Sequence, residues 1–252
     1  MTASRLLPKM LLLLVSIFTA GVYVFSLEGI FMYTLHEPLS LHPTLLAPAA
    51  FSFYIFAPIV AGMLGLSIFQ FFPKQRANKR LAKSRFYLSV SLLLLAWWAM
   101  TWCYDLLFVS AVSAVLMAMA LGRAAMQLEL RTTAMPSEVW FLRAPTMLFL
   151  GWALFLAVVN WAMLLQSLKW KLGGLTPDAW AVLLILALAM VALWFCFRYL
   201  DLFAVTAIVW GFLGIALKKG VSISVKRVVW LSIFVMALVM LIRAPRKLLE
   251  ET

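Results

Sequence analysis

Charged residues are scarce in this 252-residue chain. They make up 12% of the sequence, and only 9 of them are acidic against 21 basic ones. Soluble domains carry about a quarter charged residues, so this composition excludes an ordinary soluble domain. The hydrophobic fraction is 66% and the mean hydropathy is +1.05. The composition therefore predicts a protein whose surroundings are a lipid bilayer.

Cysteine and histidine are also rare, with two of each. Cys103 and Cys196 lie in apolar stretches without CxxC spacing, which indicates neither a disulfide framework nor a zinc site. The sequence also lacks paired carboxylates, a Gly-rich phosphate loop, an HExxH motif and a Ser/His/Asp set. We expect no metal site and no required cofactor, and a function other than catalysis is favoured.

The net charge of +12 would suit a nucleic-acid partner if the basic residues shared one soluble face. Instead they form short clusters between apolar runs. In that position basic residues set membrane topology and contact anionic headgroups. We therefore predict the lipid bilayer, and no nucleic acid, as the partner of these charges.

Long apolar runs dominate the chain, and a helix needs roughly 20 apolar residues to cross the hydrocarbon core. Breaks at charged, proline and glycine residues predict an all-α, polytopic transmembrane helical bundle of about eight helices, as a single integral membrane domain over 1–252. The junctions at Asp105 and Asp201 are so short that each also fits a kink in one longer helix. The predicted spans are 9–33, 47–72, 86–104, 106–126, 144–168, 179–198, 201–217 and 228–243.

Basic residues predict the orientation of the bundle. Residues 74–85 carry six Lys or Arg and no acid, whereas residues 34–46 carry no Lys or Arg. By the positive-inside rule, 74–85 and both termini are cytoplasmic. The segment 218–227 disagrees with this orientation, because its four basic residues fall on the outer side.

Tryptophan is the most informative residue type, with eleven in the chain. Trp140, Trp170, Trp180 and Trp230 flank predicted spans, which is typical of an aromatic belt at headgroup depth. Trp98 and Trp152 lie well inside apolar runs, where an indole N–H needs a partner. The sequence leaves open whether those two pack against another helix or line a cavity.

A wider pattern accompanies these tryptophans. Pro48 opens the second span, and the third span carries Trp98 and Trp102. The fifth span holds Pro145, the pair Gly151-Trp152, and Asn160 eight residues after that tryptophan. Together these residues resemble the TspO/MBR family (tryptophan-rich sensory protein or translocator protein), in its longer bacterial form with extra C-terminal helices.

The resemblance implies a five-helix TspO-like unit over 1–170 and additional C-terminal helices over 171–252. It implies a receptor or carrier in a bacterial cytoplasmic (inner) membrane, as a homodimer or in a larger complex. Its ligand would be planar and hydrophobic, such as a porphyrin, haem, another pigment or a lipid, bound beneath the first loop. The ligand-binding residues it implies are Phe56, Trp98, Trp102, Trp152 and Asn160, with Phe56 where the family usually has tryptophan.

Two other functions stay open. One is a structural or accessory subunit of a larger membrane complex, and the other is a secondary transporter. No acidic residue falls at the centre of a predicted span, and Asp201 lies within helical pairing distance of Arg198, which favours an interfacial ion pair over an ion relay. His36 and His42, in the first loop, are interpreted as a haem or metal ligand, as part of a polar lid, or as solvated side chains.

Overall fold

The computed structural model describes residues 3–75, 78–128, 136–169, 174–199 and 201–250. These residues are mostly helical and contain no β-strand. Shorter helical turns cover Pro38–Leu41, Ala50–Ile55, Pro73–Gln75, Pro136–Glu138 and Val139–Arg143. The eight long helices are α1 (Ala3–Leu27), α2 (Phe56–Phe69), α3 (Lys79–Cys103), α4 (Leu107–Leu128), α5 (Ala144–Ser167), α6 (Pro177–Tyr199), α7 (Leu202–Leu217) and α8 (Ile223–Glu250).

These helices have the dimensions of membrane spans. Seven of the described helical stretches are long and apolar enough to cross a bilayer, and α7 is a shorter apolar helix of 16 residues. Helices satisfy their own backbone polar groups, which lipid does not. The predicted all-α polytopic bundle is therefore confirmed.

Several predicted boundaries were wrong. The third helix begins at Lys79 instead of residue 86, because the Asn78 side chain caps it by accepting a bond from the Leu81 N–H at 3.1 Å. The first helix ends at Leu27 instead of residue 33, shortly before Gly29 turns the chain with a φ of 69°. Hydropathy marks the hydrocarbon-embedded part of a helix, whereas caps and turns decide where the helix ends.

The two tight junctions are real breaks between helices. Asp105, between α3 and α4, has a φ of 59°, which an α-helix does not accommodate. At the second junction, Leu200 lies outside the described residues. Asp201 there caps α7 by accepting bonds from the N–H groups of Phe203 and Ala204 at 3.0 and 3.1 Å. Neither junction is a kink in a longer helix.

A buried ion pair joins the first turns of α5 and α7. Arg143 Nε donates to Asp201 Oδ2 at 2.8 Å, and the two side chains are 4% and 1% exposed. The sequence predicted Arg198 as the partner of Asp201, but the Arg198 side chain lies outside the described residues. The described partner of Asp201 comes from another helix, 58 residues away in the chain.

The loops of the protein lie at the two ends of the helical bundle. At one end, the first loop (residues 28–49) lies beside the α3–α4 turn, through a bond from the Tyr33 N–H to the Cys103 carbonyl at 3.0 Å. At the other end, the Lys9 ammonium and the Gln70 backbone carbonyl bond at 3.2 Å. With eight long helices that alternate in direction, the start of α1 and the end of α8 lie at the second end. The basic segment 218–227 remains at the first end, so the sequence disagreement persists in the fold.

Helices α5 and α7 approach closely at glycines. A Cβ at Gly151 would lie 2.2 Å from the Ala204 carbonyl oxygen, and one at Gly211 would lie 2.5 Å from the Phe155 ring. Small residues permit such approaches between helices in lipid, where van der Waals packing drives association. Gly151 therefore fixes how near α7 lies to α5.

We expect Gly151→Ala to destabilise the protein, because the new methyl group meets backbone atoms of α7. Overpacking of this kind costs about 1–3 kcal/mol. The matched control is Gly122→Ala on α4, since a Cβ there meets nothing within 4 Å. Thermal unfolding in detergent should show a lower midpoint for Gly151→Ala and an unchanged or higher one for Gly122→Ala. Equal midpoints in the two variants would contradict the close α5–α7 contact.

Candidate ligand-binding site

The first loop covers one end of the bundle and is attached to four helices. Backbone and side-chain bonds of 2.8–3.0 Å hold it, so it is a fixed cover over the helices beneath it. The bonds run from Leu35 to Ser26 on α1, from Tyr33 to Cys103 on α3, from Gln166 on α5 to Pro43, and from Ala49 to Gly214 on α7.

The tryptophans separate into two groups. Trp140 and Trp230 are 67% and 47% exposed, as predicted for an aromatic belt. Trp180 is half-buried, and Trp170 lies outside the described residues. In contrast, Trp98 and Trp152 are fully buried, so they face other helices instead of lipid.

All five predicted ligand-binding residues meet beneath the first loop, and each is at most 1% exposed. Helix α3 contributes Trp98 and Trp102, one turn apart, with their rings stacked at a centroid distance of 5.5 Å. Phe56 at the start of α2 lies 5.4 Å from Trp98 and 5.8 Å from Trp152. The rings carried by three separate helices, α2, α3 and α5, therefore form one cluster.

Phe53 is the centre of this cluster, and sequence reasoning missed it. Its ring centroid lies 5.9 to 6.3 Å from those of Phe56, Trp98, Trp102 and Trp152. The residue is on the 3₁₀ turn Ala50–Ile55, one turn before Phe56. The aromatic-rich run Phe-Ser-Phe-Tyr-Ile-Phe over 51–56 is the signal that could have pointed to it. We call Phe53, Phe56, Trp98, Trp102 and Trp152 the aromatic cluster.

Two of the three tryptophans in the aromatic cluster have a hydrogen-bond partner for their indole N–H. Trp98 Nε1 donates to Asn160 Oδ1 at 3.2 Å, which joins α3 to α5. Trp102 Nε1 donates to the Leu35 carbonyl oxygen at 3.0 Å, which joins α3 to the first loop. Trp152 Nε1 is buried and has no hydrogen-bond partner among the described residues. A buried indole donor without an acceptor carries a free-energy penalty that a bound acceptor would remove.

The two loop histidines have different surroundings. His42 Nε2 and Asp105 Oδ1 are 2.7 Å apart, so this histidine fastens the loop to the α3–α4 turn. The His36 ring stacks on Phe53 with a centroid distance of 6.0 Å. Its Nδ1 is buried without a partner among the described residues, and burial lowers the pKa of this histidine. His36 therefore covers the aromatic cluster from the loop side.

The cluster is tightly packed. The cavity beside it measures only about 10 Å³. It is bounded by residues of α1 and α3, by Leu35 of the first loop and by Phe56. A planar ligand therefore enters the cluster only if a ring moves, and Phe53 is the ring that contacts all the others.

The fold and the cluster define a class, a polytopic α-helical membrane protein with aromatic rings gathered beneath a fixed loop. A family model described as TSPO-like protein matches residues 9–244. The chain belongs to this family, because the match covers nearly its whole length. The match runs across residue 170, and the division of the chain there stays a prediction. No curated protein and no solved structure matches the chain.

We expect the stability of the protein to depend on His36 protonation. Its lowered pKa means that the unfolded chain binds the proton more readily than the folded one. The stabilisation is therefore complete above about pH 6.5, the usual histidine pKa, and declines as the pH falls through the lowered pKa. His36→Phe keeps a ring on Phe53 but removes the titration.

Thermal midpoints measured at pH 7.5 and pH 5 should differ more in the wild type than in His36→Phe. The same loss of stability in both proteins between these pH values would show that His36 is not titrating in a buried site.

Proposed function

We propose that this protein is a membrane receptor or carrier that binds a planar hydrophobic ligand, such as a porphyrin or a related tetrapyrrole, in the aromatic cluster. Flat π-systems stack on tryptophan and phenylalanine rings, and one or two polar groups fix their orientation. The cluster offers rings from three helices and from the 3₁₀ turn beneath the first loop.

The observation that carries the proposal is the unpartnered indole N–H of Trp152. It lies in the same cluster as Phe53, whose ring also stacks on His36 with its unpartnered Nδ1. The Phe53 ring thus contacts two rings that each carry a polar atom without a partner. A planar ligand with polar groups at its edges would satisfy both atoms, whereas Phe53 satisfies neither.

Phe53 is accordingly the ring that we expect the ligand to displace. Its 3₁₀ turn has poorer hydrogen-bond geometry than an α-helix, so it rearranges more easily than the long helices. The Trp210 Nε1 donor holds the turn at the Ser52 carbonyl with a bond of 2.8 Å. A change of the Phe53 rotamer would leave this attachment to α7 in place.

The tight packing of the cluster supports a second candidate, a structural or accessory subunit of a larger membrane complex. A cavity of about 10 Å³ is what a permanently packed core would show. In that case the tryptophans stabilise the bundle and take part in no binding cycle. The two candidates differ in what the removal of a ring does to ligand binding.

Fluorescence quenching by protoporphyrin IX tests the receptor proposal on the purified protein in detergent. We compare the wild type with Trp152→Phe, which keeps an aromatic ring but removes the N–H donor. Loss of one hydrogen bond should weaken binding by about two- to tenfold. The matched control is Trp97→Phe, because Trp97 is on the same helix as Trp98 but is 51% exposed.

Saturable quenching that weakens only in Trp152→Phe would support a ligand at this donor. Quenching that does not saturate, or one dissociation constant for all three proteins, would remove the main support for the receptor proposal.

Phe53→Ala separates the two candidates. If the ligand displaces this ring, the variant should bind protoporphyrin IX faster and at least as tightly as the wild type. Its folded state should lose about 3–5 kcal/mol, because a buried phenylalanine is truncated. Stopped-flow quenching gives the association rate, and thermal unfolding gives the stability. A variant that loses stability and gains no association rate would favour the structural subunit.

A further inference from the structure

A groove of about 590 Å³ lies outside the aromatic cluster, between α5 and α6. Leu165 and Lys169 at the end of α5 form one wall, and Trp180 and Leu184 in the first turns of α6 form the other. Leu46 of the first loop closes one side. The volume falls within the range of about 300–1,000 Å³ that small-molecule sites occupy.

The groove arises from unequal helix lengths. Helix α7 packs against both α5 and α6 but has only 16 residues, or about 24 Å, whereas α5 has 24 residues, or about 36 Å. None of the described residues that line the groove belongs to α7. At the end of the bundle near the first loop, α5 and α6 therefore extend beyond α7, and no helix lies between them there.

The groove is apolar, with a cation at its mouth. Among the described lining residues, Lys169 is the only charged one, and it is exposed. The Gln166 amide also lines the groove, but it donates to the Pro43 carbonyl at 2.8 Å. From Pro177 to Leu184 the apolar wall of α6 runs for eight residues, a rise of about 10 Å towards the bilayer centre.

We infer that this groove binds one membrane lipid with an anionic headgroup. The headgroup phosphate lies at Lys169, where an ammonium group attracts it. One acyl chain lies between α5 and α6, on the apolar walls below Trp180. Half-buried tryptophans are common at this depth, because the indole ring contacts both the headgroup region and the hydrocarbon. The site shares no lining residue with the aromatic cluster, so it does not depend on the proposed function.

Native mass spectrometry of the full-length protein tests this inference, with dioleoyl phosphatidylglycerol and dioleoyl phosphatidylcholine as probes. Lys169→Gln removes the charge and keeps most of the chain length. Lys219→Gln is the matched control, since Lys219 is an exposed lysine at the same end of the bundle and does not line the groove. Ala162→Phe places a ring in the groove and tests the acyl-chain part separately.

The wild type should retain one phosphatidylglycerol more tightly than phosphatidylcholine, by about fivefold for a single basic residue. Lys169→Gln should abolish this preference, Lys219→Gln should keep it, and Ala162→Phe should lower retention of both lipids. Equal retention of the two lipids by the wild type would overturn the inference. The inference would also be overturned if Lys169→Gln and Ala162→Phe retained lipid like the wild type, or if protoporphyrin IX displaced the bound lipid.

Discussion

Gly151 and Trp152 are neighbours on α5 that contact different parts of the bundle. The rest of the structure depends on the contact that each of them makes. Gly151 lets the backbone of α7 approach α5, and Trp152 places its ring among Phe53 and Phe56. In lipid there is no hydrophobic gain from helix association, so close packing of this kind holds the helices together. Helix α5 thus connects the C-terminal helices to the aromatic cluster.

Several buried polar and charged groups at the helix ends bond to groups of another helix or of a neighbouring turn. The Arg143–Asp201 pair links the first turns of α5 and α7 at the end opposite the first loop. At the same end, Arg85 Nε donates to Gln70 Oε1 at 3.0 Å, and the Gln70 amide donates to the Lys9 carbonyl. Removal of one partner of a buried pair leaves an uncompensated charge, which is strongly destabilising. These contacts therefore fix how the helix ends meet.

Five buried side-chain atoms have no hydrogen-bond partner among the described residues: His36 Nδ1, Ser52 Oγ, Thr146 Oγ1, Trp152 Nε1 and Lys218 Nζ. Two of these atoms belong to Trp152 and His36, whose rings both contact the Phe53 ring. Local rules are commonly violated at functional sites. The proposal of a ligand in this cluster is based on the unpartnered donor of Trp152 and on the contacts of the Phe53 ring with Trp152 and His36.

The sequence predicted the helices well, because an apolar run in lipid has few structural choices. It also singled out Trp98, Trp152 and Asn160, through their spacing and the family resemblance, and the fold brings these side chains into one region. The central place of Phe53 was not predictable, since it depends on a 3₁₀ turn whose register hydropathy does not report. The partner of Asp201 was assigned to Arg198 by helical spacing, whereas Arg143 becomes a neighbour only after folding. The groove depends on relative helix lengths and packing, which no single segment encodes.

The most direct test of the central claim is ¹⁹F NMR of the protein carrying 4-fluorophenylalanine at position 53 only, titrated with protoporphyrin IX. If the ligand takes the place of the Phe53 ring, a second resonance should grow at the expense of the first as ligand is added. Trp152→Phe should shift that transition to higher ligand concentration. A single unshifted resonance at ligand saturation would show that Phe53 stays in the cluster, and the account of a displaced ring would be wrong.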